Sequence, residues 1–129
     1  MARTVDDIEL YLKSLERTFE RDDDTFLVVS GEAGTPVALH VNDPLVLVRV
    51  DIGRAPEHDA QRLAVFRRLL ELNGSDLVHG SYGLEGDEIV LGAALPLENL
   101  DLNEFASVLA DVDLALARHV KPLRELSRS

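Results

Sequence analysis

The stretch that decides the fold is RRLLELNGSDLVHGSYGLEGDEIVLGAALPL, residues 67–97. Its first part is rich in leucine, and Gly74 stands where a glycine commonly follows the last turn of a helix. Two runs rich in strand-forming residues come next, at about residues 77–84 and 88–97. Glu85, Gly86 and Asp87 between them are typical of a tight hairpin turn. The stretch therefore predicts the end of a helix followed by a β-hairpin.

The residues before this stretch predict one helix and three strands. The first helix begins after Thr4, and its apolar positions recur at spacings of three and four: Val5, Ile8, Leu12, Leu15 and Phe19. The acidic run RDDD at residues 21–24 ends it and is interpreted as a solvated loop, with a cation site as the minority alternative. Strands are predicted at 25–31, 37–41 and 45–53, joined by short turns such as GEAGTP at 31–36. Such short connections favour an antiparallel meander.

Two more helices complete the chain. The second is predicted between Pro56 and Gly74, with a main apolar stripe of Leu63, Phe66, Leu69 and Leu70. The last begins after Asp101, a suitable N-cap, and the segment after Pro122 is expected to fray. The prediction is a single domain, residues 1–129, of class α+β. An antiparallel sheet carries packed helices, in the order α-β-β-β-α-β-β-α.

Composition limits the possible partners. The 129 residues carry a net charge of -11, so the surface repels nucleic-acid phosphates and anionic membranes, and neither is expected as a partner. There are no cysteines, which excludes disulfides, thiol catalysis and cysteine-based zinc sites. The N-terminus lacks the apolar core of a signal peptide, and no run approaches the length of a membrane helix. We expect a cytoplasmic protein.

No catalytic motif is found. The four histidines, His40, His58, His79 and His119, have no metal-ligand spacing. HGSYG at 79–83 is not a serine elbow, because Ser81 directly follows Gly80 within a predicted strand. Neither Asp111 with Asp113 nor Glu85 with Asp87 has the geometry of an acid–base pair. The sequence therefore predicts a protein that is not an enzyme and has no cofactor and no metal.

The predicted hairpin is unusual for its small residues. They are Gly80, Ser81 and Gly83 in its first strand and Gly92, Ala93 and Ala94 in its second. Glycine weakens a strand and is tolerated where another backbone or element approaches closely. Two explanations remain open: a helix of the same chain packs on the hairpin, or a second copy of the chain does.

The element order and two sequence blocks resemble a known family. The blocks are LLELN at 69–73 and G.YGLEGDEIVLGAALPLENLD, which leads into the last helix. They are similar to the bacterial type III secretion chaperone-like superfamily, which includes the CesT-like Tir chaperones and the YbjN-type proteins. The resemblance implies a small, acidic, homodimeric binding protein without enzyme activity. It also implies that the dimer forms through the second helix and the late strands, and that a partner's unfolded segment wraps round the first helix and the sheet.

The candidate site residues follow from both lines of reasoning. Partner-binding candidates lie off the predicted core faces: Leu10, Tyr11, Leu45 and Leu47. Dimer-interface candidates are Leu72, Gly80, Tyr82, Gly92 and Ala94. The leading hypothesis is a homodimeric chaperone-like adaptor that binds an extended segment of an unidentified protein client. The alternative is an acidic regulatory scaffold that recognises a folded protein partner in a stress response.

Overall fold

A computed structural model describes residues 1–31 and 33–128 of the chain. Glu32, in the predicted GEAGTP turn, and Ser129, in the predicted frayed tail, lie outside the described residues. The described elements are α1 (Val5–Ser14), β1 (Phe19–Asp22), β2 (Thr25–Ser30), β3 (Thr35–Asn42), β4 (Leu45–Arg54), α2 (Asp59–Ser75), β5 (Ser81–Glu85), β6 (Glu88–Pro96) and α3 (Leu102–Arg128).

The six strands form one antiparallel sheet in the order β1-β2-β3-β4-β6-β5. β1 to β4 form a meander, α2 crosses over, and the β5–β6 hairpin returns so that β6 pairs with β4. The fold class predicted from the sequence, an antiparallel sheet with packed helices, is confirmed. The element order gains one strand, because β1 precedes the three strands of the predicted meander.

The extra strand lies where the sequence predicted the end of a helix and an acidic loop. α1 ends at Ser14, and Glu16 takes a left-handed conformation with φ of 56°. Phe19 then pairs with Val28 and packs edge-on against Phe26, with 5.8 Å between ring centroids. The sequence does not predict this strand, because three of the four residues of FERD are charged and only Phe19 is an apolar residue on its inner side.

The helix caps agree with the sequence. Thr4 and Asp7 form a reciprocal capping box at the start of α1. An Asp101 carboxylate oxygen accepts the Glu104 N–H at 2.7 Å at the start of α3.

The C-terminal end of α3 differs from the prediction. The helix continues through Pro122 to Arg128, and Leu123 is only 3% exposed, so the segment expected to fray is packed.

The core lies between the three helices and one face of the sheet. In β4 the side chains of Val46, Val48 and Val50 are buried, and Leu45, Leu47, Arg49 and Asp51 point to the opposite face, as the alternation predicts. Phe26, Leu39 and Leu91 extend this buried inner face across the neighbouring strands. The helices contribute Ile8 and Leu12, Val65, Leu69 and Leu72, and Phe105 with the α3 residues that follow it. In the described part of the chain, even the 27-residue α3 is not apolar enough to cross a membrane.

Candidate functional site

The outer face of the sheet, opposite the helices, carries the first candidate surface. Three of its apolar side chains are well exposed: Leu27 at 48%, Val29 at 43% and Leu47 at 37%. The strand register places smaller apolar residues directly opposite them. We call this set the outer-sheet patch: Leu27, Val29, Pro36 and Ala38 on β2 and β3, with Leu45, Leu47, Ala94 and Pro96 on β4 and β6.

Polar residues divide the outer-sheet patch into two halves. His40 lies opposite Leu47, and Arg49 lies opposite Ala38, so both stand between the β2–β3 half and the β4–β6 half. Arg49 forms ion pairs with Asp51, at 3.1 Å, and with Glu85. The hydrogen bond that Arg49 Nε donates to the Asp51 carboxylate is the main reason that the pKa of Arg49 is raised above its ordinary value. His40 and the ion-paired cluster of Arg49, Asp51 and Glu85 therefore separate two apolar halves, which stay open on either side.

The structure separates the predicted partner-binding residues into two places. Leu45 and Leu47 both lie in the outer-sheet patch. Leu10 and Tyr11 lie on α1, which packs on the other face of the sheet through Ile8 and Leu12. Leu10 is 59% exposed, whereas the Tyr11 hydroxyl donates to the Leu100 carbonyl at 2.7 Å and its ring lies 5.7 Å from that of Phe105. Tyr11 is thus held by contacts within the chain.

The structure places the predicted dimer-interface residues partly in the core and partly on the outer face of the sheet. Leu72 and Tyr82 belong to the core, at 1% and 6% exposed, and their neighbours are within the chain. A Cβ atom at Gly80 would lie 3.1 Å from the Gly92 carbonyl oxygen, so the close approach that requires glycine there is made by β6 itself. Gly92 and Ala94 point to the outer face of the sheet, where the described part of the chain places no helix over them. The assignment of these five residues to a dimer interface stays a prediction, and of the five only Gly92 and Ala94 lie on the outer face.

A second apolar surface was not recognised in the sequence. Leu63 and Leu70, predicted in the core stripe of α2, are 70% and 71% exposed, and that prediction is wrong. The buried stripe of α2 is Val65, Leu69 and Leu72. Leu63, half-buried Phe66 and Leu70 form a second stripe at spacings of three and four. The signal was available, because α2 has more leucines than one core-facing stripe can hold.

This second stripe borders a groove between α2 and β5. The groove has a volume of about 300 Å³ and is lined mainly by Phe66, Leu69, Leu70 and Leu84, the last 47% exposed. Asn73 of the LLELN block forms one wall and accepts the Tyr82 N–H at 2.7 Å while donating to the Tyr82 carbonyl at 3.1 Å. We call this feature the α2–β5 groove.

A partly buried chain of polar groups joins the C-terminal cap of α2 to β5 and α3. The Tyr82 hydroxyl lies 2.8 Å from His119 Nδ1, and His119 Nε2 lies 3.1 Å from Asp76 Oδ2. Burial, followed by the negative charges of Asp111 and Asp76, raises the pKa of the Tyr82 hydroxyl. The hydrogen bond from His119 is the main reason that the pKa of Asp76 is lowered. A hydroxyl that is buried and keeps its proton is a poor nucleophile, so this chain of groups stabilises packing.

Other polar residues considered in the sequence also serve the fold. Asp113 binds Arg17 through two oxygens and accepts the Ser30 hydroxyl. Asp111 accepts the His79 N–H at 3.0 Å. Within residues 1–31 and 33–128, no three histidine or acidic side chains lie together as metal ligands would.

Comparison with known proteins supports the fold. The model of the CesT_Tir_1 family matches residues 1–129. A chain of the heterodimeric ExoU–SpcU complex from the type III secretion system of Pseudomonas aeruginosa is 20% identical, with a TM-score of 0.71, over 90% of this chain and 96% of that chain. YbjN from E. coli is 14% identical, with a TM-score of 0.60, over 91% and 94%. The Yersinia pestis type III secretion chaperone SycH, in complex with a fragment of YscM2, is 18% identical, with a TM-score of 0.56, over 84% and 93%. No curated protein matches the sequence.

Proposed function

Because the chain belongs to the CesT_Tir_1 family, we propose that it is a non-enzymatic, homodimeric, chaperone-like adaptor that binds an extended segment of a partner protein. The observation that carries this proposal is the outer-sheet patch, where Leu27, Val29 and Leu47 stay exposed on a face without a covering helix in the described chain. Contiguous exposed apolar surface on a small protein marks an interaction site. Structures of similar fold are complexes with partner proteins, including ExoU–SpcU and SycH with a YscM2 fragment.

The division of the outer-sheet patch suggests how a segment would lie on it. Leu27 on β2 and Leu47 on β4 are two strands apart, which corresponds to about 10 Å across the sheet. An extended chain advances about 3.3 Å per residue, so about three residues would span the distance between the halves. Because only every second side chain of an extended chain faces the sheet, we expect apolar side chains about four positions apart in the partner, with the polar residue midway between them facing Arg49 or His40.

We place the homodimer contact on the α2–β5 groove, with α2 and β5 as its two sides. Leu63 and Leu70 have no apolar neighbour that buries them within the described chain, and a second copy would supply one. The groove and the outer-sheet patch lie on different faces, so a dimer built this way leaves both patches free for partner segments. Within the single chain, α2 and α3 already pack against β5 through Asn73 and His119, so the second copy is proposed for the groove and not for that side of the hairpin.

The polar residues fit a binding protein better than an enzyme. In the strongest constellation, Tyr82 and His119 are buried, Asp76 is 42% exposed, and all three are hydrogen-bonded within the chain. The proposed activity needs no cofactor, and we place it in the bacterial cytoplasm on the strength of the family resemblance.

The test is capture of partner proteins by tagged wild-type chain and by two matched variants. The first variant, Leu27→Lys with Leu47→Lys, changes both halves of the outer-sheet patch. The control, Leu114→Lys with Val78→Lys, adds the same charge at two apolar residues that are 46% and 79% exposed elsewhere. We expect one partner to be retained by wild type and control, and lost at least about tenfold from the patch variant. Equal capture by the patch variant would refute this site.

Salt separates the main proposal from the alternative of an acidic scaffold. Apolar contacts on the outer-sheet patch are expected to survive molar salt, and limited proteolysis should show the bound segment to be extended. An acidic surface that recognises a folded partner would lose it as screening increases. The carboxylates of Glu20 and Asp22 on the outer face of β1 are the nearest candidates for that surface.

A further inference from the structure

A pocket of about 340 Å³ lies between the end of α3 and the adjoining ends of β4 and β6. Its floor is apolar, formed by residues such as Ile52, Ile89 and Leu123. Three arginines, Arg54, Arg124 and Arg128, form its wall, and among the described residues its lining contains no carboxylate. We call it the arginine pocket. It shares no lining residue with the α2–β5 groove.

The charges of the arginine pocket are largely uncompensated. The guanidinium groups of Arg124 and Arg128 have no hydrogen bond or ion pair in the described part of the chain. Arg54 has only a long contact to Asp87, at 4.0 Å, and Asp87 is shared with Arg62 at 3.5 Å. Other exposed arginines, such as Arg21 and Arg49, hold carboxylates at short range. Unpaired guanidinium groups around one concavity are thus exceptional in this acidic chain.

Stabilisation of the helix end accounts for part of this arrangement. Basic residues in the last turns of a helix interact favourably with its dipole, which explains Arg124 and Arg128 individually. It does not explain Arg54, which comes from β4, nor a concave apolar floor beneath the three side chains. The volume of the pocket falls in the range of small-molecule sites.

We propose that the arginine pocket binds a small organic anion, a carboxylate or phosphate joined to an apolar group. The guanidinium groups of Arg124 and Arg128 would hold the anion, since their planar donor sets match carboxylate and phosphate oxygens in pairs. The apolar group would lie on Ile89 and Leu123. This site is independent of the proposed partner binding on the outer-sheet patch.

The net charge of -11 does not prevent this binding. At physiological ionic strength charges are screened beyond about 8 Å, so a ligand in the pocket responds mainly to the arginines that line it. The same overall charge disfavours an anionic bilayer, which would meet the whole surface. We therefore assign a free ligand and not a lipid in a membrane.

The test uses octyl phosphate, below its micelle concentration, as the probe in calorimetric titrations at physiological salt. The protein variants are Arg124→Gln with Arg128→Gln, and a control of equal charge change, Arg67→Gln with Arg68→Gln on α2. We expect wild type and control to bind within about twofold of each other, and the pocket variant to bind about tenfold more weakly or worse. Both pairs are exposed, so thermal unfolding should confirm that each variant folds.

Three further probes complete the design. Inorganic phosphate should bind at least about tenfold more weakly than octyl phosphate, because it lacks the apolar group. Octyltrimethylammonium and vesicles of phosphatidylglycerol should not bind. The proposal is overturned if wild type shows no saturable binding, if the pocket variant binds like wild type, or if the cationic probe binds as well as the anionic one. Vesicle binding that depends on the arginines would overturn the assignment to a free ligand.

Discussion

Replacing both Leu63 and Leu70 with aspartate should convert a dimer of this chain into monomers. These two side chains are 70% and 71% exposed in the single chain, so they contribute little to its core. The substitution should therefore change the free energy of unfolding of the monomer by less than about 0.5 kcal/mol. Its effect should fall on association alone.

The expected effect on association can be worked from exposure and symmetry. Full burial of a leucine side chain contributes about 1.5–3 kcal/mol. Because about two thirds of each side chain is exposed in the single chain, burying it in the interface should contribute about 1–2 kcal/mol per leucine. A twofold interface uses every residue twice, so four leucines contribute about 4–8 kcal/mol. Since about 1.4 kcal/mol is a factor of ten, the dissociation constant should rise by a factor of about 10³ to 10⁶.

Sedimentation velocity over a range of concentrations provides the measurement. Wild type should sediment at twice the chain mass of 14.2 kDa, and the double variant at 14.2 kDa. Leu10→Asp with Leu114→Asp is the matched control and should stay dimeric. A monomeric wild type, or a double variant that still dimerises, would refute the reasoning. A dimer that dissociates on Ala94→Asp instead would place the contact on the outer face of the hairpin.

Three other changes test the packing around the proposed sites. Tyr82→Phe leaves Nδ1 of His119, which is only 5% exposed, without its hydroxyl partner. Urea unfolding should show a free energy of unfolding lower by about 1–3 kcal/mol, and an unchanged value would mean that the hydrogen bond is not stabilising. Leu123→Ala should lower the free energy of unfolding by about 2–5 kcal/mol, whereas Leu114→Ala, at an exposed residue, should lower it by less than about 0.5 kcal/mol. Small and equal decreases for both would contradict the packing of the end of α3. Because the folded-state pKa of Asp76 is lowered, its carboxylate contributes stability that is present above its ordinary value of 3.8 and is lost as pH falls through the lower folded value. Asp76→Asn should therefore reduce the acid dependence of unfolding below about pH 4, and an unchanged slope would exclude this contribution.

The sequence predicted elements best where pattern and chemistry agree. Alternation in β4 predicts that Val46, Val48, Val50 and Ile52 face the core; the three valines are buried, and Ile52, at the register shift between Asp51 and Gly53, is half-buried. The N-cap position of Thr4 identified the start of α1. Glu85, Gly86 and Asp87 marked the hairpin, in which Gly86 has φ of 60°. In each case a local rule is sufficient, because neighbouring residues along the chain determine the conformation.

The errors occur where tertiary contacts decide. β1 has only one apolar residue, Phe19, and it forms a strand because it pairs with β2. α3 continues through Pro122 because burial of Leu123 outweighs the loss of one helical hydrogen bond. In α2 the leucines fit two stripes equally well, and only packing against the sheet shows which stripe is buried. The arginine pocket has no sequence signal, since Arg54 and Arg124 are 70 positions apart.

The paired hydrogen bonds from Asn73 to the Tyr82 backbone have a consequence for how any client could be held. β5 is an outer strand of the sheet, and Tyr82 and Leu84 carry the main-chain groups that point away from β6. Because Asn73 already binds the N–H and carbonyl of Tyr82, only the main-chain groups of Leu84 remain free on this side of β5. One residue is too few to pair with an added strand. At the other border, β1 has four residues and three of them are charged. A client therefore has no row of amides to join on β5, and must be recognised by its side chains. Proline, which interrupts strand addition, would then be tolerated within the bound segment.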